Sequence, residues 1–170
     1  MNIISDFNGK KIVRIDNIYF KGRQNIKWQD VETYLKRYVG QFYKNIEAED
    51  YIYIGKDLPD EYSGSKDTAR LKGALAKAKA NAVQGLPELI KIATKKRYKE
   101  NLTGKHRKNA QFGWYRYNSR FTLPVYGESG KVERYNTFAV ELLVRHDMDG
   151  KMYLYDVVNI KKETGTPLEL

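Results

Sequence analysis

Three consecutive segments decide how this chain folds: GWYRYNSRFTLPVY (113–126), ERYNTFAVELLVRHD (133–147) and KMYLYDVVNIKKE (151–163). Each alternates apolar residues with Arg, Tyr, Asn, Glu or Lys, so each reads as a strand with one face for a core and one for polar chemistry. Between them, Tyr126-Gly-Glu-Ser-Gly-Lys131 and His146-Asp-Met-Asp-Gly-Lys151 have the composition of tight turns, which makes the region a run of antiparallel hairpins. In the second segment Phe138, Val140, Leu142 and Val144 sort to the core. Sorting all three strands by face collects Arg116, Arg120, Glu141, Arg145, Tyr155, Asn159 and Lys161 on the non-core side, beside Trp114 and Asn118. A bulge in any strand would re-sort that set.

Upstream, Lys11–Ile15 and Ile18–Phe20 read as short opening strands. A helix is expected from Trp28, because Trp28, Val31, Leu35, Tyr38, Val39 and Phe42 recur at the helical period, with Gly40 as a local weakness. Tyr51–Ile54 reads as a buried strand, and Asp57–Ser65 as a turn-rich connection. A second helix is expected from Ser65 or Asp67 through Val83, with Leu71, Ala74, Leu75, Ala78 and Ala82 inward and Lys79 mainly outside that face. Gly85 stops it, and Leu86-Pro87-Glu88 restarts a third. The fold expected is α+β, with N-terminal helices packed on a small antiparallel sheet mainly in the C-terminal third. Residues 1–170 form one domain, in which 1–56 elaborate a helix-helix-sheet core at 57–170.

The chain carries 31 Lys plus Arg against 21 Asp plus Glu, a net +10. The excess is concentrated: Lys95, Lys96, Arg97, Lys99, Lys105, Arg107 and Lys108 crowd one segment that reads as an exposed basic arm, whereas Glu47–Glu61 is acidic. Clustered cations gain from counterion release on meeting phosphates. A solvated basic loop is the plainer reading of such a run, and the aromatic neighbours are what move the balance towards a nucleic-acid partner. With no cysteine, disulfides, zinc thiolates and Cys nucleophiles are excluded. His106 and His146 are too far apart for a ligand pair, so no metal or other cofactor is expected. The N-terminus lacks a signal-type apolar region and no segment is long enough to span a membrane, so a soluble, cytoplasmic protein without a membrane partner is expected.

Metal-free RNA cleavage needs a base for the 2′-hydroxyl, a cation for the charged phosphorane and an acid for the leaving oxygen. Glu141 suits the base, Arg116 or Arg120 the cation, and Tyr155, Lys161 or His146 the acid. Lys95, Lys96, Arg97, Lys99, Lys105, Arg107, Lys108, Trp114, Arg145 and Asn159 would grip the strand. For any single residue a cross-strand Glu–Arg pair on an exposed face is an equal reading.

The runs SGSKDTARLKGALAKAKANAVQGLPELI, FGWYRYNSRFTLPVYGESGKVERYN and GKMYLYDVVNIKKE resemble the small predicted nuclease domains of phages and conjugative elements, grouped with barnase, EndoU, colicin RNase and RelE-type toxins. The resemblance covers roughly Trp28 to Leu168. It implies a metal-independent RNase activity, in a toxin or mobile-element effector, with RNA or a nucleoprotein as partner. It also includes a histidine near Phe138 that this chain lacks. That departure keeps a second reading open, in which an inactive relative uses its basic surface to inhibit a host defence complex such as a CRISPR effector. Neither the resemblance nor the composition sets an oligomeric state.

Overall fold

Strands lead the chain, and two short hairpins precede most of the helical layer. In the computed structural model, which describes residues 2–22, 25–99 and 113–163, β1 (Asn2–Ser5) and β2 (Lys11–Arg14) pair antiparallel, as do β3 (Phe42–Lys44) and β4 (Tyr51–Tyr53). Helix α1 (Trp28–Leu35) lies between these hairpins, while α2 (Leu58–Gly64), α3 (Lys66–Arg70), α4 (Gly73–Ala82) and α5 (Leu86–Ile92) follow them. β5 (Thr94–Lys99) then leads to the three long strands β6 (Trp114–Tyr126), β7 (Val132–His146) and β8 (Met152–Lys162).

Among the described residues these strands form one eight-stranded mixed sheet in the order β1-β2-β6-β7-β8-β4-β3, with β5 also on β6. The expected small antiparallel sheet under N-terminal helices is therefore overturned. The reason lies in the edges of the long hairpins. The outer edges of β6 and β8 present rows of unpaired backbone groups, and such edges need partners. β2 adds to β6 at Val13–Phe121 and β4 to β8 at Ile52–Met152, both in parallel, while β5 covers the first half of β6. The N-terminal 56 residues are thus integral to the sheet.

Local departures have equally local causes. α1 gives way to a 3₁₀ turn at Lys36–Tyr38 and stops, because Gly40 turns the backbone to φ 89° and donates its N–H to the Ile54 carbonyl. Phe42 consequently leaves the helical stripe and stands exposed on β3. The connection Asp57–Ser65 is helical at Leu58–Gly64, with Pro59 in its first turn and Tyr62 fully buried. The expected long second helix breaks at Leu71–Lys72, where the backbone is extended. Ile18–Phe20 is not a strand: Asn81 takes its hydrogen bonds instead. Asn81 Oδ1 accepts from the N–H groups of Tyr19 (2.8 Å) and Phe20 (3.0 Å), and Nδ2 donates to the Phe20 carbonyl at 3.0 Å. Asn81→Ala should cost about 2–4 kcal/mol, since it strands buried backbone groups without partners. Urea unfolding measures this, and a loss below about 0.5 kcal/mol, no more than an ordinary surface substitution shows, would contradict it.

One sheet face carries the core. Tyr117, Phe121, Phe138, Val140 and Leu142 pack with Leu86, Leu89 and Ile90 of α5, and Gly85 lets the helical layer approach β2, where a Cβ would meet Val13 Cγ1 at 2.8 Å. The inner alternation read on β7 holds. Lys79, expected mainly off the inner face of its helix, is fully buried. Its Nζ lies 3.0 Å from Asp67 Oδ2 on α3 and 3.0 Å from Asp156 Oδ1 on β8, with the Tyr62 ring 5.0 Å away. Burial holds the Asp156 carboxyl above its ordinary range despite the lysine beside it.

Candidate nucleic-acid interface

Glu141 occupies the outer face of β7, opposite Asn118 on β6 and Val158 on β8. Its Oε1 accepts from Arg116 at 2.7 Å and from Asn159 Nδ2 at 2.8 Å, and its Oε2 lies 3.3 Å from Arg97. Arg97 and Arg116 are register partners on β5 and β6, so two guanidinium groups stand side by side with one carboxylate between them. Arg97 also donates to Asn118 Oδ1 at 3.0 Å. Burial pushes the Glu141 carboxyl upward, but the hydrogen bonds from Asn159 and Arg116 and the two arginine charges outweigh it, and its pKa is lowered overall.

Two bulges build this arrangement. On β8 the register skips between Ala139–Lys161 and Glu141–Val158, and Asn159 takes φ 55°. The left-handed backbone, which Asn tolerates better than most residues, turns its amide towards Glu141 while its N–H donates to Asp67 Oδ1 at 3.3 Å. On β5 the register shifts between Thr94 and Arg97, with Lys95 at φ 56° and its N–H on Glu47 Oε2. Asn159→Gly should therefore keep the fold and lose only the bond to Glu141. Asn159→Ala loses the bond and adds about 1 kcal/mol of backbone strain. Paired thermal unfolding of the two variants separates these terms, and equal melting temperatures would refute the bulge account.

The crevice of about 760 Å³ beside Glu141 runs along this face to the β1–β2 turn. Four cations (Lys10, Arg70, Arg120, Lys161) and four carboxylates (Asp6, Asp67, Glu141, Glu163) line it, so its own charge cancels and the surplus sits at the Arg97–Arg116 end. Arg120 is committed to a clamp: its Nε and Nη2 donate to Glu163 at 2.8 and 2.9 Å, and Nη1 to Asp6 at 2.8 Å. These contacts, the Glu163 hydrogen bonds foremost, hold its pKa above the ordinary arginine value. It joins the β1–β2 turn to the end of β8 and lacks spare charge for a phosphate. Lys161 lines the crevice without such a clamp.

The remaining expected residues disperse. Trp114, Arg145 and Tyr155 gather further along the same face. Trp114 meets Tyr155 edge-on at 5.0 Å, and Arg145 is buried against the Tyr153 ring with Asp57 at 3.8 Å. Burial and a hydrogen bond to Glu61 raise the Tyr155 pKa, which makes it a reluctant acid. His146 is five residues from Glu141 on a continuous strand and so projects to the opposite face, with its ring 5.9 Å from that of Tyr115. The basic segment, expected to be an exposed arm, is a strand as far as Lys99, and its alternation sends Arg97 outward and Lys96 to the other face, where Nζ meets Asp50 at 2.8 Å. Of Lys99 the strand position is described; Lys105, Arg107 and Lys108 lie outside the described residues. Sequence reasoning missed Asp67 as a member of the site; it set Asn118 on the same face without a role, and it had Arg97 gripping the strand without its place beside Glu141.

Among the described residues no three His, Cys, Asp or Glu side chains converge to hold a metal ion. Glu141 itself sits between guanidinium groups that would repel one. No helix among the described residues is long and apolar enough to cross a membrane. No family model, curated protein or solved structure matches the chain.

Proposed function

We propose that this chain binds RNA on the outer face of its sheet and cleaves it without a metal, as a phage or mobile-element protein. The observation that carries the reading is Glu141 held between Arg97 and Arg116 at the mouth of a crevice wide enough for a nucleotide. Oε1 is saturated by two donors, whereas Oε2 has its arginine at 3.3 Å and keeps a lone pair for a proton. Glu141 takes the 2′-hydroxyl proton, the 2′-oxygen attacks phosphorus, and the bond to the 5′-oxygen breaks as Lys161 donates a proton to it. Arg97 and Arg116 stabilise the added negative charge of the phosphorane. The products are a 2′,3′-cyclic phosphate and a 5′-hydroxyl, with the proton returned from Glu141 to Lys161 through water. Lys161 is the one of the three expected acids that lines the crevice.

The second reading is a protein that grips RNA or a nucleoprotein without cutting, as an inhibitor of a host defence complex would. It is favoured by the charge-balanced crevice and by His146, the type of side chain that most often serves as a general acid or base, standing on the far face. Incubating mixed RNA with the protein in EDTA decides between them. Cyclic-phosphate products that disappear with Glu141→Ala and Arg116→Ala support cleavage. Intact RNA, bound with an affinity that falls steeply with salt, supports the second reading.

A further inference from the structure

The outer face carries a line of side chains that neither the core nor the Glu141 cluster uses. Trp114 on β6 pairs with Arg145 on β7, Arg145 with Tyr153 on β8, Tyr153 with Tyr53 on β4, and Tyr53 with Phe42 on β3. Residues directly opposite one another project to the same side of a sheet. One register line therefore crosses five strands with four aromatic rings and one arginine. At about 4.8 Å per strand it spans roughly 19 Å.

The rings are in contact along its outer half. Tyr53 lies 5.9 Å from Tyr153 and 5.2 Å from Phe42, and Phe42 meets Tyr51 at 5.7 Å. Even with these contacts Phe42 and Tyr51 stay 53% and 51% exposed. Exposed cations attend the rings, Lys151 near Tyr53 at 5.1 Å and Lys44 near Tyr51 at 5.9 Å, while Arg145, itself buried, backs the Tyr153 ring at 5.2 Å. Anions stand here too: Asp149 accepts from the Tyr153 hydroxyl at 2.7 Å with Asp147 close by, Asp57 lies at the edge of Arg145, and Glu61 holds the hydroxyl of Tyr155 beside Trp114. Trp114 stands two residues before Arg116 on β6, so the line begins about 7 Å from the guanidinium pair.

We infer that this line is a stacking platform for single-stranded RNA, laid across the strands and feeding its phosphates towards Arg116 and Arg97. Aromatic faces stack on bases of any sequence and flanking cations meet the backbone, whereas a duplex keeps its bases stacked internally. The span suits about four nucleotides, near the lower end for single-strand binders. The inference rests on the RNA reading above and names the form of RNA that reading requires.

The test is fluorescence anisotropy in EDTA with a labelled 12-nucleotide RNA, 2′-O-methylated so that it cannot be cut, alongside the same sequence as a duplex. Wild type is expected to prefer the single strand. Phe42→Ala and Tyr51→Ala, both at exposed sites, should each weaken single-strand binding by roughly tenfold and leave duplex binding unchanged. In a Trp28→Phe background Trp114 is the one remaining tryptophan, and its emission should be quenched as the single strand is added. Equal affinity for both forms, unchanged affinity in the Phe42/Tyr51 double variant with a native circular dichroism spectrum, or no binding at all would overturn the inference. Cleavage is scored separately on a dinucleotide, too short to reach the platform. Failure there sinks the nuclease reading alone, while the anisotropy result decides the platform.

Discussion

Lys79→Met is expected to destabilise the protein by about 3–5 kcal/mol at neutral pH, the usual consequence of removing one partner from a buried ion pair. Methionine fills nearly the same volume, so the loss reports charge and not a cavity. It leaves Asp156 and Asp67 facing each other around an apolar side chain, next to the Tyr62 ring. The sign of the pH effect follows from Asp156, whose pKa is already raised by burial. A carboxyl favoured neutral in the fold adds stability below its unfolded pKa and loses it as pH rises through the folded value. Without Lys79 that folded value climbs further, so the deficit should be largest near pH 7 and shrink towards pH 5. Urea unfolding at the two pH values measures it. A deficit independent of pH would mean that the triad is not what the substitution disturbs.

Glu141→Gln is expected to lower RNA cleavage by about 10²–10⁴-fold, the range that general-base catalysis supplies. Glutamine retains an acceptor for Arg116 and Asn159 but cannot take the proton. The same change removes the one anion between Arg97 and Arg116, so RNA should bind more tightly even as cutting fails. A residue with a merely structural role would lose both. Because the Glu141 pKa is lowered from 4.5, the base is ionised well below neutrality. The acid limb of the rate profile should fall below pH 4.5, and it should move upward in Asn159→Gly as one stabilising hydrogen bond is lost. Stability linked to Glu141 follows the same sign: present above its unfolded pKa, lost as pH falls through the folded one. Cleavage that persists in Glu141→Gln would end the assignment of Glu141 as base.

Period-two alternation made β6, β7 and β8 legible, along with the inward Phe138, Val140, Leu142 and Val144, because a half-buried strand writes its two faces into its sequence. It could not reveal that β2 and β4 join those strands in parallel. Pairing across a hundred residues leaves no local trace: Tyr51–Ile54 was legible as a strand but its partner was not, and Phe42–Lys44 is too short for any period to register. Lys79 was hidden for a different reason. A lysine among alanines reads as surface, and its burial depends on carboxylates 12 residues before and 77 residues after it. Glu141 and Arg116 were legible as neighbours from facing alternately patterned strands. Arg97 was expected to grip the strand, but its place beside Glu141 was hidden because a basic run suggested an exposed arm, and the bulge that aims Asn159 is a backbone event that composition does not encode. The aromatic line was missed although its parts, FYK, YIY and KMYLY, were in plain view. Only the sheet order brings them side by side.

Asn159 gives the molecule an unbroken polar path from interior to surface: Lys79 to Asp67, Asp67 to the Asn159 N–H, and the Asn159 amide to Glu141. Anything that tightens the outer end of this path must, by linkage, resist unfolding of the helices that hold the inner end. Occupancy of the crevice should therefore register as a rise in melting temperature, and damage to the lysine deep in the helical layer should loosen a carboxylate that it never touches.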